Sequence, residues 1–177
     1  MRRMHASFMV SIALAVPWSS VAHAAGAADY PNRPIRIIVP FPAGGSNDLL
    51  ARYFGDKLTE RLGQQSVIDN RAGANGIIGT QLAAGTTPDG YTTLAISVSY
   101  TMNAAVRKLP YDVVKSFDPI AMFGTNSNCL VISPGLGMST LKEIIAAAKA
   151  KPGSLAYATT GVGGFNHFGG ELFKKIA

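Results

Sequence analysis

A chain of 177 residues with 47% apolar and 15% charged content can bury a hydrophobic core, which places it away from the disordered and collagenous classes. Its formal net charge of +6 comes from scattered Lys and Arg, with no basic run and no interleaved aromatics, and this argues against a nucleic-acid partner. A mildly basic envelope instead favours the approach of anionic small molecules.

Residues 1–24 read as a secretory leader rather than as part of the core. Arg2 and Arg3 form a basic start, Phe8 to Val16 an apolar stretch, and Ala22-His23-Ala24 a small-x-small cleavage site. The apolar stretch is about half of the ~20 residues that a membrane span requires, and Pro17 closes it. A soluble product outside the cytoplasm, in the periplasm, is therefore expected after cleavage near Ala24. Loss of Arg2 and Arg3 lowers the formal charge to +4. The lone Cys129 has no partner for an internal disulfide, and within the run NCLVIS it reads as a small buried hydrophobe.

After YPNRP, the run IRIIVPF suits a strand buried on both faces, as in a parallel sheet. A helix follows from Ser46 or Asn47. Leu50, Phe54, Leu58 and Leu62 recur along it every fourth residue, Leu49 and Tyr53 widen the stripe, and Gly63 stands where a C-terminal cap belongs. The pattern repeats with SVIDN as strand, RAGANG as loop, a short helix from Ile77 to Ala84, the turn TTPDG and the strand YTTLAIS. Strands and helices in this alternation predict a right-handed parallel α/β sheet.

The segments LPYDVVKSF and DPIAMFG read as irregular. Beyond them, NCLVISPG is predicted as a strand. Thr140 and Glu143 have capping-box spacing at the head of a helix with Leu141, Ile144, Ile145 and Ala148 on one face, and Pro152 and Gly153 end it. SLAYAT is predicted as a further strand, and TGVGGFNHFGG opens a last helix. Because GELFKKIA closes the sequence, the expectation is a chain without a partner strand for what precedes it.

Glycine and short polar residues stand between strand and helix at three corners: Ala43 to Asp48, Arg71 to Gly76, and Thr160 to Asn166. In an open α/β sheet such corners gather at the carboxyl ends of the strands, where ligands bind. A helix start there presents unpaired N–H groups and the positive end of its dipole, a setting for an anion. At any single corner the bland alternative is a glycine that only makes the turn and a Ser46, Asn47 or Asp48 that only caps the helix. The first loop lacks the Lys-Ser/Thr ending of a phosphate loop, and neither GANGIIG nor GVGGFN has the G-x-G-x-x-G spacing. No H-E-x-x-H, paired cysteines or G-x-S-x-G occurs, and past the leader region the only histidine is His167, read as a helix-start residue or ligand contact. No catalytic residue, metal or cofactor is expected. Arg71 is read either as a carboxylate contact or as a solvated loop arginine.

From about Tyr30 onward the sequence closely resembles the Bordetella uptake gene (Bug) family, the extracytoplasmic solute receptors of tripartite tricarboxylate transporters. The segments that carry the resemblance are YPNRPIRIIVPFPAGGSNDLLAR, LGQQSVIDNRAGANGIIGT, TTPDGYTTL, LPYDVVKSFDPIA and KPGSLAYATTGVGGFNHFGGELFK. The resemblance implies a two-lobed, periplasmic-binding-protein-like Venus flytrap of type II that closes on a small organic mono-, di- or tricarboxylate and delivers it to membrane permease subunits. It also implies chains nearly twice this length. The expectation is a leader at 1–24, a first lobe at 25–124 and the start of a second at 125–177, with the second lobe and the returning strands incomplete.

The same resemblance implies a cleft in which backbone N–H groups and ordered water hold the carboxylate. The first-lobe loop contributes Phe41, Ala43, Gly44, Gly45, Ser46, Asn47 and Asp48, and the second-lobe loop contributes Thr160, Gly161, Val162 and His167. Asn75 and Gly76 match a loop lining the same cleft, with Ser97 and Ser99 at its edge. The sequence departs from the family pattern at Asn47, at KSFDPI and at VGGFNH, where Phe165 stands among residues that are usually small and hydroxylated. Alternatives from other classes are a secreted enzyme acting on a carboxylate, the sensor domain of a transcription regulator, and a remnant of a receptor.

Overall fold

The computed structural model describes residues 30–177, and the expected leader with its processing site lies outside the described residues. Strand β1 (Ile35–Val39) is buried along nearly its whole length, as its unbroken β-branched run requires. It stands at the centre of a three-stranded sheet of order β2-β1-β3, in which β2 (Ser66–Asn70) and β3 (Thr92–Leu94) both run parallel to it. Ile37 is in register with Ile68 on one side and Thr93 on the other. Helix α1 (Ser46–Leu62) links β1 to β2, and α2 (Ile77–Ala84) links β2 to β3. All three strands therefore end at one edge of the sheet, which the ladder extends through Arg71 N–H to the Val39 carbonyl (2.8 Å) and Ala95 N–H to the Ile38 carbonyl (2.9 Å).

The core gathers Ile37, Val39, Ala51 and Ala95, with Phe41, Leu58 and Ile68 packed against it. Helix α1 begins and ends as its sequence predicts, with Gly63 left-handed at φ 70° beyond its last turn. Its large apolar stripe faces the sheet only in part: Leu58 packs on the core and Phe54 is half-buried, while Leu50 and Leu62 are exposed. The buried positions are Asp48, Ala51 and Gly55, whereas Leu49 and Tyr53 are each 60% exposed. The reason is close approach: a Cβ on Gly55 would lie 3.2 Å from the Ile68 Cδ1 and 3.3 Å from the Ser66 Cβ, so the helix seats its small residues on β2 and leaves Leu49, Leu50, Tyr53 and Leu62 outward. Phe54 then stacks on Phe123, with ring centroids 4.0 Å apart. Helix α2 uses the same device at Gly79, where a Cβ would fall 2.6 Å from the Arg71 carbonyl and 2.7 Å from the Pro40 Cβ.

Helix α3 (Ser99–Val106) was not anticipated from the sequence. The segment after it wraps back onto it: Tyr111 stacks parallel to Tyr100 at 5.7 Å, and the Tyr100 hydroxyl donates to the Val113 carbonyl at 3.0 Å. Two expected strands are corrected. NCLVIS and SLAYAT are extended without a ladder, since a strand needs a hydrogen-bonded neighbour and, among the described residues, neither segment has one. Cys129 is accordingly exposed rather than buried, and Val131 is 80% exposed. Both segments instead lean on helix α5 (Phe165–Ile176), because a Cβ at Gly169 would collide with the Asn128 amide and one at Gly170 with the Tyr157 ring. Helix α4 (Leu141–Ala150) opens on the predicted capping box, with the Thr140 hydroxyl accepting from Glu143 N–H.

Candidate functional site

At the first corner, Gly44 takes φ 83° and Gly45 is the N-cap of α1. The loop is bolted from below by Asp48, 2% exposed, whose carboxylate accepts the Gly44 N–H at 2.8 Å, the Arg52 Nε at 3.0 Å and the Asn70 Nδ2 at 3.0 Å. Asn70 also donates to the Phe41 carbonyl at 3.2 Å. The Arg52 donor, followed by the Gly44 N–H, holds the Asp48 carboxyl down to about 2. Asp48 thus organises the loop from inside, and the Gly44 N–H is spent on it. No side chain caps α1, so the N–H groups of its first turn, from Ser46 and Asn47, keep their donors at the edge. Ala43, Gly45 and Ser46 are exposed there.

The second corner is left-handed at four consecutive residues: Gly73, Ala74, Asn75 and Gly76 have φ of 139°, 48°, 55° and 91°. Such values are uncommon for Ala and Asn, and the neighbours hold them in place. Gly76 is pressed to the Phe41 ring, where a Cβ would lie 3.3 Å from Cζ. Asn75 pairs reciprocally with Asn103 of α3: its Nδ2 donates to the Asn103 Oδ1 at 3.1 Å, and the Asn103 Nδ2 donates to the Asn75 carbonyl at 3.0 Å. Beyond β3, the Ser97 carbonyl accepts the Tyr100 N–H at 3.0 Å and so starts α3 beside the pair. Ser99 is buried at the head of that helix.

The loop before α5 comes to the same place. Gly163 is buried against Asn103, and a Cβ on Gly164 would lie 3.3 Å from the Asn75 Oδ1. Gly164 is the N-cap of α5, with φ −78° and ψ 157°, almost the same backbone as Gly45 at φ −76° and ψ 167°. Each is preceded by a left-handed glycine, Gly44 at 83° and Gly163 at 89°. The two helices are therefore entered by one repeated local geometry, spelled GGSND and GGFNH, and neither has a side-chain cap. Thr160, Gly161 and Val162 are exposed on this loop, and His167 is half-buried in the first turn of α5 with its ring edge-on to Phe168.

The sequence reading thus names loops that the fold brings together around Asn75 and Gly76, and it misses Asn103 and Arg107. Arg71 is drawn to Asp69 at 2.8 Å and does not join them. A shallow cavity of about 460 Å³ lined by Arg33, Arg36, Thr86 and Asp89 lies at the opposite, amino-terminal edge of the sheet. Its charge is already matched, with Arg33 paired to Asp89 at 2.7 Å and lying over the Tyr91 ring at 4.1 Å.

Residues 50–177 match the family described as the tripartite tricarboxylate transporter family receptor. The chain belongs to this family. Protein BugT of Bordetella pertussis (strain Tohama I) is 39% identical over 166 residues, covering 92% of this chain and 51% of BugT. A UPF0065 protein of Pseudomonas sp. (strain P51) is 36% identical over 96% of this chain and 50% of its own. Among solved structures, one described as a periplasmic transporter is 39% identical with a TM-score of 0.76, over 82% of this chain and 50% of that one. A protein of R. palustris solved with adipate is 30% identical with a TM-score of 0.72, over 84% of this chain and 50% of that one. The chain spans about half the length of the relatives it matches. Its fold is the α/β, periplasmic-binding-protein-like fold of these receptors.

Proposed function

We propose that this receptor-family chain binds a small organic carboxylate in the periplasm for uptake by a tripartite tricarboxylate-type transporter, and that it works no chemical change on the ligand. The observation that carries the reading is the paired, uncapped entrance to α1 and α5 through Gly44-Gly45 and Gly163-Gly164, both on the edge where the strands end. Backbone N–H groups at such helix starts suit a carboxylate. The ligand would meet Phe41, Ala43, Gly45, Ser46 and Asn47 from one side and Thr160, Gly161, Val162 and His167 from the other. Asn75, Gly76 and Ser97 would form the floor. Gly44 and Asp48 would shape the loop. Residues 25–124 and 125–177 would belong to different lobes, residues 1–24 would direct export, and permease subunits would receive the ligand.

The adipate held by the R. palustris relative supports a dicarboxylate as the first compound to try. The test is a thermal-unfolding and calorimetric screen of mono-, di- and tricarboxylates. A true ligand at a hundredfold excess over its Kd raises stability by about 2.7 kcal/mol. Recovery of that ligand unchanged by mass spectrometry is also expected. A folded chain that ignores every carboxylate, or one that converts the ligand, would overturn the reading.

A further inference from the structure

Two residues outside the loops just described touch the loop at residues 160–164. Arg107 is the extended C-cap of α3, and its Nη2 donates to the Val162 carbonyl at 2.8 Å. One turn earlier, Asn103 is 1% exposed and locked to Asn75 by two hydrogen bonds. Gly163 lies directly against this helix: a Cβ there would fall 2.7 Å from the Asn103 Oδ1 and 3.3 Å from the Val106 Cγ2. Helix α3 therefore grips consecutive residues of the loop, one by its carbonyl and the next by its lack of a side chain.

The grip has a directional consequence. The Val162 carbonyl and the Gly163 N–H belong to one planar peptide unit and point in opposite directions. Holding the carbonyl toward Arg107 turns the Gly163 N–H away from α3. The neighbouring N–H of Gly164 is already given to the Gly161 carbonyl at 3.1 Å. With glycine at 163, left-handed at 89°, this peptide would otherwise turn over more readily than one set between two residues with side chains.

We propose that Arg107 and Asn103 are positioning residues, through which α3 seats the loop at residues 160–164 and aims the Gly163 N–H at the anion without touching it. The inference rests on the receptor reading. A seated loop raises the fraction of chains competent to bind, and apparent affinity scales with that fraction.

Arg107→Ala and Arg107→Lys test the proposal in the whole chain, by calorimetry with adipate and the carboxylate panel and by amide hydrogen exchange without ligand. Arg107 is exposed, so the unliganded melting temperature should stay unchanged. Arg107→Ala should weaken apparent binding about tenfold, by lowering the competent fraction, and should speed exchange at residues 161–164. Arg107→Lys, which keeps a donor, should recover most of both. Gly163→Ala should also weaken binding, because its methyl displaces the seat. Unchanged exchange in Arg107→Ala overturns the proposal, as does faster exchange with unchanged affinity. If no carboxylate binds the unaltered chain, the receptor reading fails, and exchange alone decides whether α3 seats the loop.

Discussion

Asp48 carries its charge inside the protein, and its three donors come from three different elements: the loop at Gly44, the helix at Arg52 and the strand at Asn70. Its folded pKa, about 2, lies below the ordinary value of 3.8, so the stabilisation it brings is complete above the ordinary value and is lost as pH falls through about 2. Thermal melting followed from about pH 5 to about pH 2 should show this as a fall in melting temperature on the acid side. Asp48→Asn should flatten that fall. It should also lower the melting temperature at neutral pH, because an amide offers a donor where Arg52 and Gly44 present donors of their own. An Asp48→Asn chain with the unaltered acid limb would assign the acid sensitivity to other carboxylates.

At the scale of elements, close approach outweighs propensity. Gly79→Ala would gain about 1 kcal/mol of helix propensity. Its new methyl, however, meets the Arg71 carbonyl and the Pro40 backbone rather than a flexible side chain, and overpacking of that kind costs about 1–3 kcal/mol. A net loss of about 1 kcal/mol is expected from the shift of the urea midpoint. The same effect explains what sequence could and could not reveal. The strand at IRIIV, the ends of α1 and the capping box of α4 are written in local residue types, and the structure has them. Which face of α1 is most deeply buried depends on the small residues Ala51 and Gly55 meeting β2, so the leucine period marks the flank of the buried face, through Leu58, rather than its centre. Helix α3 holds Asn103, an amide buried by a partner 28 residues away, which no periodicity announces. NCLVIS has the apolar run of a strand but no neighbour to pair with among the described residues. Its exposed Cys129 should therefore react fully with a thiol reagent in the absence of denaturant; a thiol that reacts only on unfolding would restore the buried reading.

For the molecule as a whole, the loop at Asn75, the helix at Asn103 and the loop before α5 meet, with Phe41 of the first loop against Gly76, and under the proposed reading the groups offered to an anion would be mostly peptide N–H. Such donors do not titrate. Binding should therefore follow the ionisation of the ligand alone, with an affinity midpoint at the pKa of the carboxylic acid, as calorimetry across pH would read. A second pH-dependent step in affinity, beyond the ionisation of the ligand, would instead show that a titrating side chain holds it. The twin entrances at Gly44-Gly45 and Gly163-Gly164 bear on how such a receptor diverges. Peptide N–H groups survive every substitution except proline, so drift at Ser46, Asn47 or Phe165 would reshape the walls while leaving such a grip on the charge intact. A lineage built this way can exchange one acid for another without passing through a form that binds none.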